Sequence, residues 1–243
     1  MRHAAAVIAA SDSETAELGG IADPKKIVYR RNGIDVSAFA NLPPGDTLRQ
    51  TWGISPNEKV ILYLGRISPI KNLEQLILAF AKADLPNLRL VLVGPSLEPA
   101  YEARLHALIA TQHLESTVLM AGPLYGEEQR AALALADLFV LPSLNESFGN
   151  AAAEAVAAGV PVLLTETCGI APLIDRRAGL TVPLGVESLA EGLKVMLDPA
   201  QRDLLTAQRE QVKRELSWDE PIRQTEELYQ RIIEEKEKVE VTQ

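Results

Sequence analysis

The chain has 243 residues, 47% of them apolar, enough to bury one sizeable core or two small ones in an ordinary folded globule. Lysine and arginine number 24 against 33 aspartate and glutamate, and the net charge of −9 argues against a protein that binds nucleic acid by neutralising phosphates. Cys168 stands alone, so no intramolecular disulfide is available and a reducing compartment is the simpler expectation.

Met1-Arg-His and the apolar residues Ala4 to Ala10 imitate the start of a signal peptide, but so short an apolar run sits at the lower limit for one. A strand over Ala5 to Ala9 fits better, followed by a helix capped by Ser11 or Ser13 with Glu14 and Glu17 in its first turns. Up to Lys59 the chain is punctuated by proline and glycine, with Lys26-Ile-Val-Tyr29, Asn32-Gly-Ile-Asp35 and a Pro43-Pro-Gly-Asp turn. No apolar run anywhere approaches the roughly 20 residues of a membrane span.

From Lys59 onward apolar strands alternate with amphipathic helices. Val60 to Leu64 precedes a helix over Leu73 to Ala83, Leu88 to Val93 one over Tyr101 to Gln112, and Val118 to Ala121 one over Glu127 to Ala136. Leu138 to Leu141 leads into an Ala-rich helix that ends at Gly159 and Pro161. Val160 to Leu164, Leu180 to Val182 and a helix over Glu187 to Leu197 follow. Repeated strand-helix units with nearly all-apolar strands predict an α/β protein, a Rossmann-like parallel sheet with helices on both faces. Leu204 to Val241 reads as two helices separated near Ser217-Trp-Asp-Glu-Pro221, with Trp218 and Tyr229 as packing anchors and fraying expected beyond Ile233.

The most informative stretch is Leu141-Pro-Ser-Leu-Asn-Glu146-Ser-Phe-Gly-Asn-Ala-Ala-Ala-Glu154. Both acids fall at one strand-to-helix junction, Glu146 before the helix and Glu154 one to two turns inside it. Gly149 permits close backbone approach, and the first free amides, about Phe148 to Ala151, are oriented to meet an anion. Ligands of parallel sheets bind at the carboxyl ends of strands, where this junction lies.

With the Pro-Ser before it and the Gly159-Val-Pro-Val after it, this stretch resembles the E-x7-E signature of retaining glycosyltransferases of family 4, or group 1, in the GT-B fold. The resemblance covers roughly residues 4 to 235, about half of a two-domain enzyme. It implies residues 1–40 as the tail of an amino-terminal domain plus linker, residues 41–216 as the nucleotide-sugar-binding domain, and residues 217–243 as a crossover helix and tail. The amino-terminal, acceptor-binding domain is then mostly absent, and this chain alone transfers no sugar. The resemblance also implies a cytoplasmic protein, with any peripheral membrane association left to that absent domain.

By the same resemblance, Glu154 accepts hydrogen bonds from the donor's ribose, and Glu146 contacts the transferred sugar. The amides of Phe148, Gly149 and Asn150 hold sugar or phosphate oxygens, and the backbone of Leu124 contacts the base. Leu64-Gly65-Arg66-Ile-Ser-Pro-Ile-Lys71-Asn72 follows the first strong strand; Gly65 allows a tight turn, and Arg66 and Lys71 grip the donor diphosphate. An arginine fork and a lysine point charge can neutralise a diphosphate leaving group without a metal, and no Asp-x-Asp occurs in the chain. No cofactor or metal is therefore expected, the nucleotide sugar being the substrate.

Asn72 stands where glycine is commoner in the family and can still cap the following helix. Gly94-Pro-Ser and Gly122-Pro-Leu-Tyr125 either line the nucleotide pocket or are plain turns. A glutamate usual near Pro172 is missing. His106 and His113 lack metal-spaced partners and read as surface histidines; Cys168 reads as a packing residue. The alternative functions are a nucleotide-sugar-binding module without transfer activity, or another GT-B enzyme such as a nucleotide-sugar epimerase.

Overall fold

A computed structural model describes residues 4–241, with side chains to residue 237. Residues 1–3, at the head of the signal-like start, and residues 242–243 of the tail lie outside the described residues. In chain order the elements are β1 (Val7–Ala9), α1 (Asp12–Gly19), β2 (Ile27–Tyr29), α2 (Asp46–Thr51), β3 (Lys59–Leu64), α3 (Leu73–Ala83), β4 (Leu88–Val93) and α4 (Pro99–Thr111). Next come β5 (Val118–Gly122), α5 (Glu127–Leu135), β6 (Leu138–Leu141), α6 (Asn150–Ala157), β7 (Val162–Thr165), α7 (Ala171–Ile174) and β8 (Gly179–Val182). The chain continues through α8 (Val186–Leu197), α9 (Pro199–Leu205), α10 (Arg209–Glu215) and α11 (Asp219–Val241).

Strands β3 to β8 form the expected parallel sheet in the order β5-β4-β3-β6-β7-β8. Its apolar runs require this arrangement, because Val60 to Leu64, Leu138 to Leu141 and Val162 to Thr165 are buried along their whole length and no face can meet water. A leucine or isoleucine buried this way contributes about 1.5–3 kcal/mol of transfer free energy. The chain builds outward from β3 to β5, then returns to the centre and builds β6 to β8 on the other side. Strand order therefore reverses between β3 and β6, and the loops leaving those two strands flank one crevice.

A separate two-stranded parallel sheet joins β1 to β2, Val7 against Ile27. Ser11 caps α1 by accepting the Glu14 amide at 3.2 Å, and Glu14 reaches back to the Ala10 amide at 2.7 Å.

Two expectations are corrected. Leu204 to Ser217 is not one helix, because α9 ends at Leu205 and α10 restarts at Arg209 after a turn that no glycine or proline announces. Helix α11 runs past Ile233 to Val241. Tyr229 is not a packing anchor, being 61% exposed; Trp218 is 40% exposed and packs only its inner side, against Gly33. The short helices α2 and α7 are additions; six and four residues hold too little periodicity to announce themselves.

Candidate donor-binding site

The loop from β3 to α3 leaves the sheet at Gly65. Its course is fixed by neighbouring backbone: the Gly65 amide donates to Val93 O at 3.0 Å and the Ile67 amide to Pro95 O at 2.9 Å. Gly94 lies so close that a Cβ there would stand 1.8 Å from Gly65 O, so these two loops touch only because Gly94 has no side chain. Arg66 is exposed at the mouth of the crevice, while Lys71 ends a short 3-10 turn, Pro69–Lys71.

The loop from β6 to α6 carries Glu146. Its amide donates to Thr167 O at 3.3 Å and its carbonyl accepts the Gly169 amide at 2.8 Å, so the acid is strung between two backbone ties. Its carboxylate forms an ion pair with Lys71 across the switch point. Gly149 precedes α6 at φ 108°, a left-handed value costly for a residue with a Cβ. No side chain caps this helix, and among the described residues the amides of Phe148, Gly149, Asn150 and Ala151 donate to no backbone carbonyl. Four unsatisfied donors thus meet at the crevice, as the uncapped start of a helix dictates. The Phe148 side chain is buried beneath them, leaving only its backbone for a ligand.

Glu154 projects from α6 into a cleft of about 280 Å³ lined by Gly65, Arg66, Leu124, Gln129, Asn150 and Glu154 among others. Burial raises its pKa above the ordinary carboxylate range, although a hydrogen bond from Gln129 Nε2 at 2.9 Å works in the opposite direction. One carboxylate oxygen is engaged by Gln129; the other has no protein donor among the described residues. The Gly94-Pro95 and Leu124-Tyr125 loops do line this cleft, so here they are walls as well as turns.

The structure thus brings Gly65, Arg66, Leu124, Asn150 and Glu154 to one cleft, with Phe148 and Gly149 at its helix end. Lys71 and Glu146 do not line it; they pair with one another beside it. Gln129 is a site residue that sequence reasoning missed. Its only signal is its place in the first turn of the helix after β5, at the carboxyl end of the sheet. Asn72 departs from expectation in detail: it is buried at φ 58°, its side chain caps nothing, and its Nδ2 donates to Pro142 O at 3.1 Å. The left-handed backbone accounts for a glycine preference at this position, and the amide ties the Lys71 loop to the strand end before Glu146.

Cys168 is buried between the Thr165 hydroxyl and Leu141 O at 3.6 and 3.7 Å, and burial pushes its thiol up to about 11. It is a packing residue, not a nucleophile. His106 is exposed beside Glu102, and His113 sits in a turn at φ 55°. A larger cleft of about 630 Å³ opens at the opposite, amino end of the sheet, lined by Phe80, Glu58 and Arg89. It contains none of the expected site residues, and the chemistry follows the switch point rather than the volume.

A parallel sheet reversing between β3 and β6, with cations on one switch-point loop and acids on the other, has the Rossmann-like architecture of a GT-B half. The chain belongs to the group 1 glycosyl transferases, whose family model matches residues 45–214. It is 31% identical over 251 residues to a D-inositol 3-phosphate glycosyltransferase of Kineococcus radiotolerans, covering 95% of this chain and 58% of that protein. Among solved structures it is similar to sucrose-phosphate synthase from Thermosynechococcus elongatus, with TM-score 0.80 and 27% identity over 94% of this chain and 58% of that one. It also shares its fold with Anabaena HepE, solved in complex with UDP, at TM-score 0.84 and 24% identity over 94% of this chain and 64% of that one. The chain spans just over half the length of the curated relatives it matches, 58% and 55% of the first two. Among the described residues no helix is long and apolar enough to cross a membrane.

Proposed function

We propose that this chain is the donor-binding half of a family 4 glycosyltransferase, holding a nucleotide sugar for transfer to an acceptor with retention. The observation that carries this reading is the convergence, at one switch point, of four unsatisfied amides from Phe148 to Ala151 with Arg66, Lys71 and two glutamates. Amides and cations suit a diphosphate, whose negative charge increases as the glycosidic bond to it breaks. Arg66 and Lys71 supply that stabilisation without a metal in this reading. Glu154 faces the ribose with its free oxygen, and Leu124 borders the base. Glu146 serves the sugar, which requires that donor binding draw Lys71 away from it toward phosphate.

The acceptor side lies outside the matched half. Transfer needs a closed cleft that orients both substrates and excludes water, so this chain alone binds donor and hydrolyses it slowly at most. Titration calorimetry with UDP, GDP and ADP, with and without EDTA, tests the binding. Binding of one nucleotide in EDTA is expected; no heat with any of them sinks the donor reading, and binding only with added Mg²⁺ sinks its metal-free form. Incubation with the best-bound nucleotide sugar and a panel of sugar and lipid acceptors tests the half-site. Robust acceptor-dependent product from this chain alone overturns that part.

A further inference from the structure

Tyr63 is an odd residue for its strand. It lies within Val60-Ile-Leu-Tyr-Leu64, wholly buried at the centre of the sheet, where a leucine would fill space without a hydroxyl to satisfy. Its hydroxyl folds back past Gly65 and donates to the carbonyl of Arg66 at 2.7 Å. A Cβ at position 65 would stand 2.7 Å from that oxygen, so Gly65 makes room for the phenol as well as for the turn. The peptide group after Arg66 is thereby held from both sides, its carbonyl by Tyr63 and its N–H, that of Ile67, by Pro95 O at 2.9 Å.

The far end of the same loop is held in the same way. Tyr101, on α4 and 2% exposed, accepts the Leu73 amide at 3.1 Å through its hydroxyl. Leu73 opens α3, whose preceding residue Asn72 provides no side-chain cap, so the phenol of a neighbouring helix satisfies a helix-start amide in its place. Arg104 covers the Tyr101 ring at 5.1 Å from its centroid. Between these two hydroxyls lie Arg66 and Lys71, joined to the rest of the site through Asn72 to Pro142 O and through the Leu144 amide to Ile70 O at 2.8 Å.

We infer that Tyr63 and Tyr101 are positioning residues for the diphosphate cations, with the Tyr63 hydroxyl setting the backbone from which Arg66 projects and the Tyr101 hydroxyl setting the end of the turn that carries Lys71. The inference rests on the donor-site reading of that loop. Neither tyrosine touches ligand in this assignment; each acts through backbone. A flexible arginine on a loose loop loses ordering entropy with every phosphate contact it makes, and a fixed backbone removes part of that loss.

The test compares the full chain with its Tyr63→Phe and Tyr101→Phe variants, which keep the ring and its packing. Each is titrated with whichever of UDP, GDP or ADP the wild type binds tightest, and with the matching nucleoside; melting temperatures are recorded alongside. Each variant is expected to weaken the diphosphate by about five- to tenfold, the loss corresponding to one hydrogen bond, and the nucleoside by less than about twofold. If both variants bind diphosphate as the wild type does, or lose diphosphate and nucleoside affinity in parallel with a falling melting temperature, the positioning assignment is overturned. Wild-type protein that binds none of the three nucleotides overturns the donor-site reading instead, and the assignment with it.

Discussion

The six-stranded sheet and the β1–β2 pair are made of the same kind of apolar strand, yet they end in opposite conditions. In the large sheet, central residues such as Leu62, Phe139 and Leu163 are fully buried, and helices cover both faces. Around the small sheet, Ile8, Tyr29 and Ile21 remain exposed, and α11 turns Ile222, Tyr229 and Ile233 outward with spacings of seven and four that place them on one stripe. The first region is a packed body and carries the groups proposed to hold the donor. The second leaves apolar surface uncovered, which supports the reading that an acceptor side is built by residues outside this half.

This contrast is sharpest in stability. Leu62→Ala, in the centre of β3, is expected to cost about 2–5 kcal/mol, because the lost methyl groups leave a cavity that a sheet buried on both faces cannot close. Urea unfolding measures it, and a cost below about 1 kcal/mol is too small for the tight central packing assigned to β3.

The next effect concerns the site that the large sheet carries. Arg66→Ala and Lys71→Ala are each expected to weaken nucleoside diphosphate binding by about 1.5–3 kcal/mol, the range for hydrogen bonds to charged groups, while sparing the nucleoside. Lys71→Ala also removes the ion pair with Glu146 that donor binding has to break in this reading, so of the two it acts less strongly on a nucleotide sugar. Calorimetry with diphosphate, nucleotide sugar and nucleoside separates these effects. Equal loss of nucleoside and diphosphate affinity in Arg66→Ala contradicts the phosphate assignment.

Much of this was legible beforehand, for identifiable reasons. The strands Val60 to Leu64 and Leu138 to Leu141 were readable because a strand buried on both faces must be apolar throughout, and α3 because its buried residues recur at helical spacing. Glu146 and Glu154 were readable from their junction. The pairing of Lys71 with Glu146 was not, since 75 residues separate them and only the adjacency of β3 and β6 brings them together. Gln129 reaches Glu154 across the same kind of topological gap. Tyr63 in an apolar run reads as core, and its hydroxyl bond depends on a backbone bend that Gly65 permits but does not announce. Trp218 and Tyr229 misled because aromatic residues bury large areas wherever a partner exists, and composition does not say whether one does.

A smaller effect links the site to stability through Glu154. Burial holds its folded-state pKa above the unfolded value, so ionising it costs the folded state more than the unfolded one. The penalty is absent below the unfolded pKa, grows as pH rises toward the folded pKa, and is fully present above it. Glu154→Gln retains an acceptor for Gln129 and removes the charge, so it is expected to raise the melting temperature near pH 7.5, with the gain vanishing below about pH 4. The same variant loses the anionic acceptor proposed for the ribose and binds nucleoside more weakly. Greater stability without any loss of nucleoside affinity separates Glu154 from the donor.

The smallest effect is expected where the molecule is least finished. Tyr229 is 61% exposed on α11, and Ile222 and Ile233 on the same stripe are 51% and 55% exposed. A side chain already in water loses little when shortened, so Tyr229→Ser is expected to change unfolding free energy by less than about 0.5 kcal/mol, below even the modest gain at Glu154. Helix propensity alone does not enlarge this, since tyrosine and serine rank closely in helix interiors. Urea unfolding at two protein concentrations is the measurement. A cost near that of Leu62→Ala, or a wild-type midpoint that rises with concentration while the variant's does not, shows that the stripe is covered in solution by a second copy of the chain. A concentration-independent midpoint with negligible change leaves the stripe as free surface, and the two regions then differ as drawn: one closed around its core and its site, the other open along α11.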